Sequence, residues 1–123
     1  IENFHRIHYD LDFALNHDKN PTILVHGSWK QSVVPQFLKD WVSPGGWPWK
    51  ARFEHRAMLT PNDVLIMWGT VVDKTEKDGM GIIELEIGMK TQDGVESMPG
   101  TATVVLPIRG GKEIPYPFIP PQD

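Results

Sequence analysis

Two histidine-bearing segments hold the residues best suited to chemistry. In the first, Asn3-Phe4-His5-Arg6-Ile7-His8-Tyr9-Asp10, two imidazoles stand three residues apart, with Asp10 and Asp12 close behind. An imidazole, with an ordinary pKa near ~6.5, can take up and release a proton at neutral pH, which is what a catalytic His8 would do. The same spacing also occurs on solvated loops, where Asp10 or Asp12 simply caps a following helical turn. His5, His8 and Asp10 lack a third ligand at a recognised spacing, and the chain has no cysteine, so no metal site is expected. The second segment, His26-Gly27-Ser28, falls where an apolar run, Thr22 to Val25, meets a helical pattern. The first turn of a helix has unpaired N–H groups and a positive dipole end that favour a developing negative charge. A backbone donor at Gly27 would act as an oxyanion hole, worth about 3 kcal/mol in other enzymes. Glycine there also lets a substrate carbonyl come close. The structural alternative is that Gly27 only allows the turn and His26 caps it or packs beneath it. His17 reads as solvated.

The elements that must position these residues follow from periodicity. Asp10, Asp12 and Leu11-Phe13-Ala14-Leu15 predict a short capped helix, and Asn20-Pro21 a turn. With Ser28 as N-cap, Trp29, Val33, Phe37 and Trp41 recur every four residues beside Val34 and Leu38, predicting a helix from Ser28 to Trp41 with that stripe buried. Pro35 predicts a kink or an early break, and Ser43-Pro44-Gly45-Gly46 ends the helix. From Trp47 to Ile108 alternation takes over. Ala51, Phe53, His55 and Ala57 face one way, Arg52, Glu54 and Arg56 the other. After the Thr60-Pro61-Asn62-Asp63 turn come a strand over Val64 to Val72, a turn over Lys74 to Gly79, a strand over Ile82 to Met89, a hairpin turn at Gln92-Asp93-Gly94 and a strand over Thr101 to Pro107, together an antiparallel meander. The tail, Ile114 to Asp123, is rich in proline and predicts an extended arm packed on the sheet or a neighbour.

At 123 residues the chain has room for one domain with a real core. Its net charge of −4 gives no reason to expect nucleic acid or an anionic membrane surface. Without cysteine, disulfide scaffolds, thiolate zinc sites and thiol nucleophiles are excluded, and a cytoplasmic location is the default. Apolar runs fall far below the ~18 residues of a membrane span. One amphipathic helix followed by an antiparallel sheet buries both apolar faces if the sheet wraps around the helix, which is an α+β hot-dog arrangement. The five tryptophans are expected in the core or an interface, and some could line an acyl pocket.

The Asn3–Asp10 segment, then Val25-His26-Gly27, then Thr60-Pro61-Asn62-Asp63 opening a strand, resemble the MaoC-like dehydratase and (R)-specific enoyl-CoA hydratase family over about residues 3 to 107. The spelling Asn-x-His-Arg-Ile-His-Tyr-Asp is similar to the branch with 3-hydroxyacyl-thioester dehydratases and mesaconyl-CoA hydratases. Phe37-Leu38-Lys39-Asp40-Trp41 followed by Pro44-Gly45 resembles actinobacterial subunits that hydrate steroid side-chain enoyl-CoA. The resemblance implies a lyase that adds water reversibly to a trans-2-enoyl thioester. His8 falls on the catalytic histidine, and Asn3 on a position that is acidic in much of the family. An asparagine can orient a water but cannot accept its proton, which leaves His8 as the base. Gly27 N–H would hold the thioester carbonyl, with His26, Ser28 and Tyr9 in the substrate site. No cofactor is implied beyond the coenzyme A of the substrate, whose phosphates Lys50, Arg52 or Arg56 could meet, although charges alternating on a strand are usually solvated.

The domain is expected over residues 1–110, with the proline-rich tail over 111–123. Family members carry a strand before the catalytic motif, and Asn3 lies near the start, so that strand is expected to be missing here or supplied from elsewhere. The resemblance also implies a homodimer, or a heterodimer with another hot-dog subunit. Asn3 motivates an alternative: a non-catalytic subunit that shapes an active partner's acyl pocket. A hot-dog thioesterase ranks lowest, because the helix offers only Asp40 as a carboxylate.

Overall fold

The computed structural model describes residues 5–122. A 3-10 turn, Arg6–His8, and a single π turn, Phe13–His17, precede helix α1, Gly27–Val42. Four strands follow: β1, Trp47–Phe53; β2, Ile66–Lys77; β3, Met80–Lys90; and β4, Gly100–Pro107.

The short N-terminal helix forms over residues 11–17, its last five residues as that π turn. Asp10, not Asp12, starts it: its Oδ1 accepts from Phe13 N–H (3.0 Å), while Arg6 holds Oδ2 at 2.7 Å. These contacts push the Asp10 pKa down, the Phe13 N–H most and the Arg6 hydrogen bond next.

Helix α1 begins one residue earlier than predicted. His26, with extended ψ of 129°, is its N-cap and accepts the Ser28 N–H on Nδ1 (2.9 Å). An imidazole nitrogen thus does what the Ser28 hydroxyl was expected to do, and Ser28 lies inside the first turn. The buried stripe holds at its middle and shifts at its ends: Val34 and Leu38 are buried as expected, with Lys30 and Val42, and Val33 and Phe37 pack half-buried on the same core, whereas Trp29 is 50% and Trp41 48% exposed. The helix runs through Pro35 without a break. Pro35 and Gln31, whose carbonyl loses its donor, are both exposed, so water takes the place of the missing bond. At the far end Ser43 N–H and Oγ return to Lys39 O. A Cβ on Gly46 would fall 2.7 Å from Val42 O and 2.8 Å from Leu106 Cδ2, so only glycine lets the chain turn from helix onto sheet so closely.

The sheet is antiparallel with order β1-β4-β3-β2. Strands β2, β3 and β4 form a meander, but β1 lies across the sheet from β2, beside β4, so the meander predicted for all four strands is corrected at its first member. The β1–β2 connection therefore crosses the molecule. Strand β2 extends to Lys77 because the turn closes on Asp78 and Gly79 alone, with φ of 52° and 71°, the double left-handed geometry of the tightest hairpins. The Gln92–Gly94 turn forms, but β4 starts only at Gly100, after the Lys90–Glu96 bridge.

Val34, Leu38 and Val42 pack with Leu85, Ile87, Met89, Ala102 and Val104. Strand neighbours alternate faces, so Val105 and Ile82 lie on the other side of the sheet. There Met80, Ile82 and Val105 are covered by Trp47, Trp49 and the tail residues Ile114 and Phe118. Phe118 stacks on Trp47 at 5.4 Å, so the proline-rich arm packs on the outer face of its own sheet. One main helix on one antiparallel sheet is the expected hot-dog architecture.

Candidate functional site

The His8 ring is fixed by backbone. The 3-10 turn ties His8 N–H to His5 O (3.1 Å), and Leu24 N–H donates to Ile7 O (2.9 Å), bringing residues 7 and 24 side by side. His8 Nδ1 then lies 2.9 Å from Leu24 O. A carbonyl only accepts, so Nδ1 carries the proton and Nε2 keeps its lone pair, the form a general base needs.

The His26 ring sits 4.7 Å from that of His8. Because its Nδ1 accepts from Ser28 N–H, the neutral ring carries its proton on Nε2, which is buried without a partner. Burial, and then the neighbouring His8 and His5, push the His26 pKa down. A neutral His26 spares His8 a cation at its side.

Trp29 and Lys30 N–H turn back to His26 O, leaving Gly27 first in the helix, where position alone denies its N–H an intrahelical acceptor. His8 and Gly27 line one cavity of about 220 Å³ with Lys30, His55 and Met58. An apolar cavity of about 240 Å³ beside it shares Val25 and Leu59 and is closed by Trp29, Pro61 and Leu65. Its wall is the Thr60–Asp63 turn, where Asp63 Oδ2 accepts from Thr60 N–H (2.9 Å) and Oγ1 (3.2 Å). Those bonds and the Gln92 amide push the Asp63 pKa down.

The structure thus brings His8 and Gly27 together, with His26 as cap and support beneath them and Ser28 in the turn that the cap closes. Tyr9 is 60% exposed and, like His26 and Ser28, does not line the His8 cavity. Asn3 lies outside the described residues. Arg56 pairs with Glu54 (3.0 Å), and Lys50 stands 3.9 Å over the Trp49 ring. Among the described residues no group of three or more His, Asp or Glu side chains is placed to hold a metal ion.

Sequence reasoning missed two cavity residues. Lys30 is only 3% exposed; its ammonium donates to Ala57 O (3.1 Å) and Ser97 O (3.5 Å), and burial pushes its pKa down against the pull of Glu96. Its four-residue spacing to Val34, Leu38 and Val42 was the available signal. His55 was read as one face of a strand, but β1 ends at Phe53 and His55 lies on the crossing connection.

Several solved structures share this fold. An (R)-hydratase from A. caviae involved in PHA biosynthesis is 23% identical with a TM-score of 0.73, covering 85% of this chain and 78% of that one. The unliganded R-hydratase PhaJ1 from Pseudomonas aeruginosa is 16% identical with a TM-score of 0.70, over 96% of this chain and 74% of its own. The ChsH1-ChsH2 complex from Mycobacterium tuberculosis is 17% identical with a TM-score of 0.68, over 84% and 76%. No protein-family model and no curated protein matches the sequence. At these identities the likeness shows the architecture alone, the hot-dog fold. No helix among the described residues is long and apolar enough to cross a membrane.

Proposed function

We propose that the chain is a hydratase subunit that adds water reversibly across the double bond of a trans-2-enoyl thioester, with coenzyme A as the thiol. The observation that carries this reading is the tautomer of His8: Leu24 O takes its Nδ1–H, which in the neutral ring leaves the Nε2 lone pair unused by that bond, and His8 and Gly27 line one cavity. The solved (R)-hydratases of the same fold support it.

In this reading His8 Nε2 takes a proton from a water that Asn3 orients. The water oxygen bonds to C3 of the acyl chain, and the electron pair of the double bond moves toward the thioester carbonyl. Gly27 N–H and the positive end of α1 stabilise the resulting enolate oxygen. The imidazolium then returns the proton to C2, so one water is consumed and His8 is regenerated. The apolar cavity beside Trp29 takes the acyl chain, and Lys50, Arg52 or Arg56 meets the coenzyme A phosphates. No cofactor takes part.

His8→Ala should lower kcat/KM for crotonyl-CoA by about 10²-fold or more, the usual range for a positioned base. Asn3→Asp should keep or raise the rate. An inactive wild-type protein across enoyl-CoA chain lengths, or full activity in His8→Ala, would sink the proposal.

A second reading is a non-catalytic subunit that completes a heterodimer. Asn3 in place of an acid, and a two-component complex among the solved structures of this fold, favour it. It predicts that the isolated chain is inactive until a partner hot-dog subunit is added.

A further inference from the structure

The connection leaving β1 is pinned over the first turn of α1. Arg56 and Ala57 N–H donate to Ser97 O at 3.0 and 3.3 Å, and Val25 N–H donates to Leu59 O at 2.9 Å. Lys30 Nζ holds Ala57 O from below at 3.1 Å. So fixed, the segment lays the His55 ring against Gly27. A Cβ built on Gly27 would lie 3.5 Å from His55 Cε1 and 3.9 Å from its Nδ1. Phe53 meets the same ring edge-on at 6.3 Å.

Both ring nitrogens flank that Cε1, at 3.9 and 4.0 Å from the same Cβ position, and one of them is occupied. Gln31 Nε2 lies 3.0 Å from His55 Nε2. An amide NH₂ can only donate, so Nε2 accepts and the neutral ring carries its proton on Nδ1. His8 and His55 are therefore the same tautomer used in opposite ways. On His8 the protein occupies the N–H edge and leaves a base, whereas on His55 it occupies the lone-pair edge and leaves a donor. Both rings line one cavity with Gly27 between its walls.

We propose that His55 is a second catalytic side chain, whose Nδ1–H joins Gly27 N–H on the thioester carbonyl oxygen as negative charge builds there, and that Gln31 is the positioning residue that fixes its tautomer. This rests on the hydratase reading. A transition state held by one backbone and one side-chain donor gains more than the neutral substrate does, so the effect falls on kcat. Lys30, a cation on the same cavity, adds to the field at that oxygen.

The test uses crotonyl-CoA hydration by three proteins. His55→Phe keeps a ring but no donor, and should lose about 10²-fold in kcat with KM little changed and the melting temperature retained, since His55 is exposed. Gln31→Glu keeps the shape but can only accept, so at alkaline pH, with the imidazoles neutral, His55 must move its proton to Nε2 and lose the Nδ1–H. Its imidazole ¹⁵N signals should then show the exchanged tautomer, and kcat should fall with KM little changed. Wild-type kcat in either variant, or an unchanged His55 tautomer in Gln31→Glu, overturns the proposal. Imidazole ¹⁵N spectra titrated with 3-hydroxybutyryl-CoA separate the two failures. Movement of His8 without His55 removes the role of His55 and leaves the hydratase reading standing. If no imidazole signal moves, the reading falls and takes the proposal with it.

Discussion

At the scale of single residues, what a side chain can do depends on which of its polar atoms the fold has already used. That His8 and Gly27 share one cavity was legible because residue type and spacing carry the information. His55 was not, because its significance comes from Gly27 and Gln31, both distant in sequence. Glu96 is a second such case. Its carboxylate accepts from Met89 N–H (2.8 Å), Met98 N–H (3.0 Å) and Trp68 Nε1–H (2.6 Å), joining β2, β3 and the segment before β4. A Cβ on Gly88 would collide with this carboxylate and with the Trp68 indole, so the glycine makes room for the junction. Burial alone would raise the Glu96 pKa, but those donors and Lys90 outweigh it and hold it below the usual carboxylate value. A lowered folded-state pKa gives stability that is present above the unfolded pKa and lost as pH falls through the folded one. Glu96→Gln should therefore lose about 1–3 kcal/mol at neutral pH, because the amide cannot accept on both sides. It should also show a shallower acid decline than the wild type in urea unfolding series. An unchanged acid limb would refute the role given to Glu96.

At the scale of elements, helix α1 shows where periodicity stops short. Two rows of four-spaced residues run along it, 29-33-37-41 and 30-34-38-42, and the first is the more apolar by composition. The lysine at the head of the second row disguised it. Packing against Leu85, Ile87 and Val104 selects the second row, and Lys30 is accommodated because two backbone carbonyls receive its ammonium. The choice was decided by the sheet, which the helix sequence does not contain. Pro35 survives for a related reason: it lies on the exposed side, where a lost backbone bond meets water. Leu38→Ala, at 2% exposure, should cost about 2–5 kcal/mol through the cavity it leaves. Trp41→Ala, at 48% exposure, should cost under about 1 kcal/mol despite removing the larger side chain. Chemical denaturation of the two variants compares the rows directly, and a greater loss in Trp41→Ala would mean the row through Trp41 is the buried one.

At the scale of the whole molecule, the strands were legible from alternation and turn residues, whereas their order was not, since neighbours in a sheet need not be neighbours in the chain. Placing β1 beside β4 sends the connection through residues 54–65 across the helix start, and that path brings His55 and the Thr60–Asp63 turn to the cavity. It also leaves β2 at an edge of the described sheet. This edge strand, Ile66–Lys77, is long, and exposes Ile66 (51%), Val71 (44%) and Val72 (54%). An apolar strand edge of that length invites pairing with another strand, and natural proteins block such edges with charge when they are meant to stay free. Here the charged residues gather from Asp73 onward, near the Asp78–Gly79 turn, and the stretch from Ile66 to Val72 has none. If the chain pairs with a second copy, as the resemblance implies, β2 is the edge through which two sheets would join about a twofold axis. The register against β3 shifts between Val71 and Asp73, so Val72 has no opposite residue on β3, and a lysine there should leave the fold intact. Light scattering should give the wild type twice the mass of one chain, and Val72→Lys should shift it toward the monomer with unchanged circular dichroism. A wild-type monomer would exclude a homodimer, and a Val72→Lys dimer as tight as the wild type would remove β2 from the interface.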